Sequence, residues 1–282
     1  LSDKSESILM AVHQAPRNAC GLAWLSVTQG ELHLAECAPD ELDGWLARIA
    51  PSELLFGADV TPAFEQRLKT LKAAARDQFD AALGRRKLLE QLRAASLNAW
   101  GASDLPHAHA AASALLAYAE HTQGRALSHV RQIRVQRSDA LIDLPPATRR
   151  NLELVQTLRG EDAPTLFSLL DTCMTGMGSR TLRRWLLEPA RDRADASARL
   201  QAVDALRGDR GAGPWHGLRS QLKGVGDVER ITARVALRQV RPRELVALRV
   251  ALQKAEQFMA VARWGSALLS DISRDLTPPE GC

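Results

Sequence analysis

The chain opens on a short apolar run at 8–13, which predicts a buried strand. From Cys20 to Val27 the residues are apolar and partly alternating. Gln29 and Gly30 supply a turn, and 31–36 alternates strictly, so the two segments predict a β-hairpin. Pro39 and Asp40 open a helix to about Ala50, with Leu42, Trp45, Leu46 and Ile49 on one face. A fourth strand follows at 53–57. Thr61 and Pro62 then suit the cap and first turn of a helix over 62–74. Gln78-Phe-Asp80 reads as one more short strand before a helix over 81–97. A hairpin followed by strand–helix alternation predicts a small α/β sheet unit.

Loop-forming residues Asn98, Gly101, Ser103 and Asp104 mark a boundary, and beyond Pro106 the period changes. The Ala-rich segment 107–122 is helical and stops at Gly124. Residues 130–137 alternate, and 141–144 can fold back on them as a two-stranded ribbon. Helices are then expected at 146–159, 164–172, 178–188, 192–206, 214–222, 227–239 and 242–262. The expected division is an α/β unit at 1–100 and a mainly helical unit at 101–282.

Composition supports two core-forming units: 282 residues, 45% apolar but only 4% aromatic, rich in the unbranched residues that favour helix. The net charge of +4 is unevenly spread, with 12 basic and 15 acidic residues up to Arg125 and 25 and 18 beyond it. Contact with a polyanion is therefore expected of the second half, against the plainer reading of a solvated helical surface. Cys20, Cys37, Cys173 and Cys282 show neither CxxC nor metal-ligand spacing with histidine, which predicts reduced thiols and a cytoplasmic location. No apolar run is long enough to cross a bilayer. The first residue is Leu1, and the chain reads as an internal piece of something longer.

Several motifs carry candidate chemistry. Two prolines, Pro145 and Pro146, start a helix that places Leu152, Val155 and Leu158 on one side. Gly176-x-Gly178-Ser179 before a helix is either a phosphate cradle or an ordinary helix start. Trp185 shares a face with Leu182 and Leu186 and is expected to be a core anchor. Arg230, Arg234 and Arg238 recur every fourth residue. They form either a track for a DNA backbone or a set of ion pairs with Asp227, Glu229 and Glu244. No catalytic residues are assigned: GxxxxGK[ST], GxSxG and HExxH are absent. His107, His109, His121 and His129 are too dispersed for a metal site.

The order of the second-half motifs is more specific than any one of them. Thr148-Arg-Arg-Asn-Leu-Glu-Leu154, Leu158-Arg-Gly160, Leu170-Asp-Thr-Cys-Met-Thr175, Met177-Gly-Ser-Arg180 and Leu182-Arg-Arg-Trp-Leu186 closely resemble the core-domain signature of the MutS family. Asp227-Val-Glu-Arg-Ile-Thr-Ala-Arg-Val-Ala-Leu-Arg238 resembles the helix that follows, and the first hundred residues match the family's connector in pattern. Gly176 and Ala190 depart from the pattern. The residues carrying the signature are Arg149, Arg150, Asn151, Glu153, Gly178, Ser179, Arg184 and Trp185.

The resemblance implies an RNase H-like connector that links domains and docks MutL, followed by the first stretch of a helical core that relays between a DNA clamp and an ATPase. It implies a parent that is a homodimer, binds mismatched duplex DNA and hydrolyses ATP with Mg2+, while this stretch holds no cofactor and is no enzyme. In the family a second stretch of chain completes the core. Apolar residues such as Leu245, Leu248, Leu252, Val261, Trp264 and Leu268 are therefore expected to leave an uncovered surface, with self-association or disorder near 263–282. Two other classes compete: a stand-alone duplex-binding helical protein using the arginine track, and an RNase H-like nuclease. The nuclease needs converging carboxylates, and the early strands offer only Glu31 and Glu36.

Overall fold

The computed structural model describes residues 7–16, 19–26, 28–69, 74–260 and 265–277. Six strands make one sheet: β1 (Ile8–Ala15), β2 (Ala19–Ser26), β3 (Glu31–Cys37), β4 (Glu53–Gly57), β5 (Ala74–Arg76) and β6 (Gln132–Val135), in the order β5-β4-β1-β2-β3-β6. The first three form an antiparallel meander. β4 pairs parallel to β1, β5 parallel to β4, and β6 parallel to β3. Antiparallel β1–β3 joined through β1 to parallel β4 and β5 is the RNase H-like arrangement expected of the connector.

Alternation along the strands sends side chains to two cores. Met10, Val12, Leu22, Trp24, Leu54 and Phe56 meet α1 (Leu42–Ile49) and α2 (Pro62–Lys69), which bury Leu42, Trp45, Leu46, Ile49, Phe64 and Leu68. Leu9, Ala11, Ala23, Leu25, Leu32, Leu34 and Leu55 meet α3 (Ala81–Leu92) and α4 (Pro106–Gln123) on the other face. The helix expected at 62–74 is shorter, because Ala74–Arg76 joins the sheet edge beside β4. Residues 70–73 lie outside those described. Pairing with an open edge here outweighs the helix propensity of the alanines. The strand expected at 78–80 is a turn instead: Gln78 sits at φ +76°, and the Asp80 carboxylate accepts from Leu83 N at 2.6 Å to cap α3.

The boundary expected near residue 100 falls inside this unit. α4 lies across β1, β2 and β3 and packs on α3 with Ala108, Ala111, Ala112, Leu115, Leu116 and Ala119 buried. Its alanines admit the sheet and α3 at close range. A Cβ on Gly21 would fall 2.0 Å from the His107 carbonyl carbon, and one on Gly84 1.8 Å from the His109 oxygen. Composition alone does not distinguish such a buried helix from the start of a helical domain. The expected ribbon is also replaced: β6 pairs with β3, and Leu141 bridges Ala190 instead.

The remaining helices are α5 (Pro146–Asn151), α6 (Leu166–Leu170), α7 (Gly176–Leu187), α8 (Arg193–Arg207), α9 (Trp215–Leu222), α10 (Val228–Ala236), α11 (Pro242–Ala260) and α12 (Ala267–Asp275). The helix expected at 146–159 stops at Asn151. Glu153 adopts φ +46°, and its own and the Leu154 carbonyls accept from Leu166 and Phe167 of the next segment. Leu152 and Leu158 consequently face solvent rather than one helix stripe. α12, within the tail where disorder or self-association was expected, packs on α8 and touches α11. Val261, Trp264 and 278–282 lie outside the described residues.

Candidate functional site

The signature residues gather where the helical unit meets the sheet. α7 begins at Thr175, whose hydroxyl accepts from Gly178 N at 3.1 Å. That amide is therefore engaged by a cap, as at an ordinary helix start. Gly178 is also close-packed, since a Cβ there would lie 3.3 Å from the Cys173 Cβ. Ser179 is buried and donates to Asp171 at 2.8 Å.

One residue on, Arg180 is only 2% exposed. It donates to both Asp227 oxygens at 2.7 and 2.8 Å and to Glu229 at 2.7 Å. Burial alone would lower its pKa, but the hydrogen bonds and charges of Asp227 and Glu229 raise it above the usual guanidinium value. Sequence reasoning did not select Arg180 as a site residue. Its motif and the one holding Asp227 were both visible, but nothing in the spacing paired them across 47 residues.

Arg149 of α5 is buried and donates to the Leu187 carbonyl at 2.7 Å, fixing α5 to the end of α7. Burial lowers its pKa against the opposing pull of Glu188 and Asp143. Arg150 is exposed and reaches the Leu158 carbonyl at 3.5 Å, while Asn151 is exposed at the end of α5. The Glu153 carboxylate accepts from Leu158 N at 2.6 Å and stabilises the turn that ends the helix.

Across the junction, Glu31 of β3 gathers basic side chains from three places. His33 lies 3.3 Å away on the same strand, Arg134 reaches it from β6, and Arg184 of α7 lies at 4.0 Å. Burial would raise the Glu31 pKa, but hydrogen bonds and charge from His33 and Arg134 hold it at about 2. A second tie runs the other way. Leu237, just past α10, is buried in the sheet–α4 core, and its carbonyl accepts from Arg125 at 2.8 Å. Neither Glu31 nor Leu237 carried a sequence signal for these roles.

Glu31 and Glu36 do not converge as nuclease chemistry requires. Glu36 instead accepts from the backbone of His107 and Ala108 at 2.8 and 3.1 Å, complementing the positive end of α4. Among the described residues no cluster of three or more His, Cys, Asp or Glu is arranged to hold a metal.

Trp185 is not the expected core anchor. It is 43% exposed, and the Arg199 guanidinium covers its ring at 4.0 Å. The face shared with Leu182 and Leu186 is only half-buried, because α7 directs Arg180 and Arg184, one turn apart, at the junction instead. The arginine track is also interrupted. Arg230 lies 3.6 Å from Asp227, Arg234 pairs with Glu244, and Arg238 falls beyond the end of α10 at φ +51°. Two of the three are therefore beside carboxylates, as in the ion-pair reading.

Two family models match this chain in sequence. MutS domain II matches residues 7–131 and MutS domain III matches residues 147–275. These ranges cover the sheet unit with α4 and the helical unit that carries Arg180, Asp227 and the α7 signature. The chain belongs to the MutS family of DNA mismatch repair proteins, with its connector and core domains in order.

Proposed function

We propose that the chain is the non-catalytic module through which a parent protein couples binding of mismatched duplex DNA to ATP hydrolysis, with the sheet unit docking MutL. ATP and Mg2+ belong to the parent, which acts as a homodimer in the cytoplasm. The observation that carries this reading is Leu237: a residue of the helical unit completes the core of the sheet unit, so displacement of one unit disturbs packing in the other. Close-packed interiors transmit such shifts poorly by deformation and well by switching between arrangements. The exposed apolar side chains fit the same reading. Among the described residues every large hydrophobic that is exposed lies at Ile142 or beyond, including Leu169 at 76% and Leu200 at 68%. In the parent these would pack against the second stretch of the core.

The test uses the full-length parent carrying Leu237→Ala. Mismatch binding and basal ATP turnover should persist, while stimulation of turnover by mismatched duplex and recruitment of MutL should fall. A folded variant that keeps full stimulation and full MutL recruitment would overturn the reading.

A further inference from the structure

Between the two units lies a cavity of about 100 Å3, walled by Trp24, Ser26 and His33 of the sheet, Arg48 of α1, and Arg183 and Arg184 of α7. Its lining holds four guanidiniums, counting Arg180, and one carboxylate, Glu188. Arg180 is engaged by Asp227 and Glu229, and Arg184 stands 4.0 Å from Glu31.

Arg48 differs from these. It is 9% exposed and rests over the Trp45 ring at 3.8 Å. Its Nε has no hydrogen-bond partner, and no carboxylate among the described residues forms an ion pair with it. Burial pulls its pKa down, Arg149 adds to that, and Glu188 and Asp143 oppose it only from a distance. A guanidinium taken out of water normally faces an anion in hydrogen-bond contact, because the cost of desolvation is otherwise not offset. Here the acceptor is missing while further arginines stand around the same space.

We propose that this cleft binds one free tetrahedral oxyanion of the phosphate or sulfate class, held by Arg48 of the connector and by Arg183 and Arg184 of the core. Guanidinium forks match such oxygens in pairs. The Trp24 and His33 rings, stacked at 5.1 Å, form one aromatic wall of the cleft. The volume suits one small ion with bound water, since a water needs about 10–15 Å3 of such space. It is too small for a nucleotide, since pockets for organic ligands run to about 300–1,000 Å3. Because its ligands come from both units, the ion closes the junction, and binding stabilises the joined arrangement by mass action.

The experiment titrates inorganic phosphate into the whole chain at fixed ionic strength, with chloride as the balancing salt, followed by calorimetry and by phosphorus NMR. Saturable binding, with sulfate competing, is the expected result. Arg48→Gln should weaken it at least about tenfold, the loss of one charged hydrogen-bonding group. Since Arg48 is buried, Arg184→Gln serves as the second variant; that side chain is 42% exposed and only 4.0 Å from Glu31, so binding should weaken while the variant stays folded. Phosphate that behaves like chloride would overturn the proposal, as would wild-type affinity in both variants. Binding of duplex oligonucleotide without binding of the inorganic ion would overturn it too, by placing the phosphate on a polymer.

Discussion

Arg180 and Asp227, 47 residues apart, meet through two parallel hydrogen bonds of 2.7 and 2.8 Å. The arginine is 1% exposed at its side chain, Asp227 23% and Glu229 41%, so the three charges are desolvated unequally. Asp227 also caps α10 through Arg230 N at 3.3 Å.

This ordering predicts the outcome of removing each acid. Asp227→Ala takes both Asp227 hydrogen bonds from a buried guanidinium and removes a helix cap, and should cost about 3–5 kcal/mol. Glu229→Ala removes a half-exposed partner and should cost about 0.2–1 kcal/mol. Denaturant unfolding of the two variants measures both; an equal or larger loss for Glu229→Ala would contradict the assignment of Asp227 as the main partner.

The two tryptophans Trp185 and Trp45 should part company. Trp45 is 2% exposed between sheet and α1, and Trp45→Ala should cost about 3–5 kcal/mol. Trp185 is half-exposed beneath Arg199, so Trp185→Ala should cost about 1 kcal/mol, close to an exposed cation–π contact. Thermal midpoints of the two variants give the comparison directly.

Gly21 and Gly44 form a matched pair of opposite sign. A Cβ at Gly21 meets the α4 backbone at 2.0 Å, where no side chain can move aside, whereas a Cβ at Gly44 on α1 meets nothing within 4 Å. Gly21→Ala should lower stability by about 3 kcal/mol or more, with faster hydrogen exchange along α4. Gly44→Ala should raise it by about 0.5–1 kcal/mol, because alanine loses less backbone freedom in a helix. A neutral Gly21→Ala would show that α4 does not seat on β2 as described.

Acid should weaken the fold in two stages. Burial lowers the pKa of His13 and of His109, whose Nε2 lies 2.7 Å from the Ala102 carbonyl. The unfolded chain therefore takes up these protons first, and stability falls as pH drops below the ordinary histidine value near about 6.5 and on through the depressed folded values. Glu31 follows: its contribution is complete above the ordinary glutamate value of 4.5 and is lost as pH falls to about 2. Urea midpoints across this range should show both stages, and Glu31→Gln should remove the lower one. A flat profile between pH 7 and 5 would contradict buried neutral histidines.

Much of the sheet unit was legible in sequence. The apolar faces of α1 and the alternation in β1–β4 are set by one-sided burial, which a local period records. What escaped was fixed by distant partners. Ala74–Arg76 is a strand only because β4 offers an edge, and 132–135 pairs with β3, about a hundred residues earlier in the chain. At the junction, the motifs led to α7 and to Asp227, yet the consequential side chains there were Arg180 and Glu31. A charge has no period, and its partner is chosen by the fold. Trp185 failed for a related reason: its local spacing identifies neighbours on α7 but not what α7 rests against.

The seat of Leu237 bears on how the protein emerges from the ribosome. The last strand of the sheet ends at Val135, yet the hydrophobic core between the sheet, α3 and α4 is complete only once Leu237 has been made. At about 5–20 residues per second, that gap lasts roughly 5–20 s. During that interval the connector is a nascent domain with a vacancy in its interior, and its final consolidation is timed by synthesis of the core.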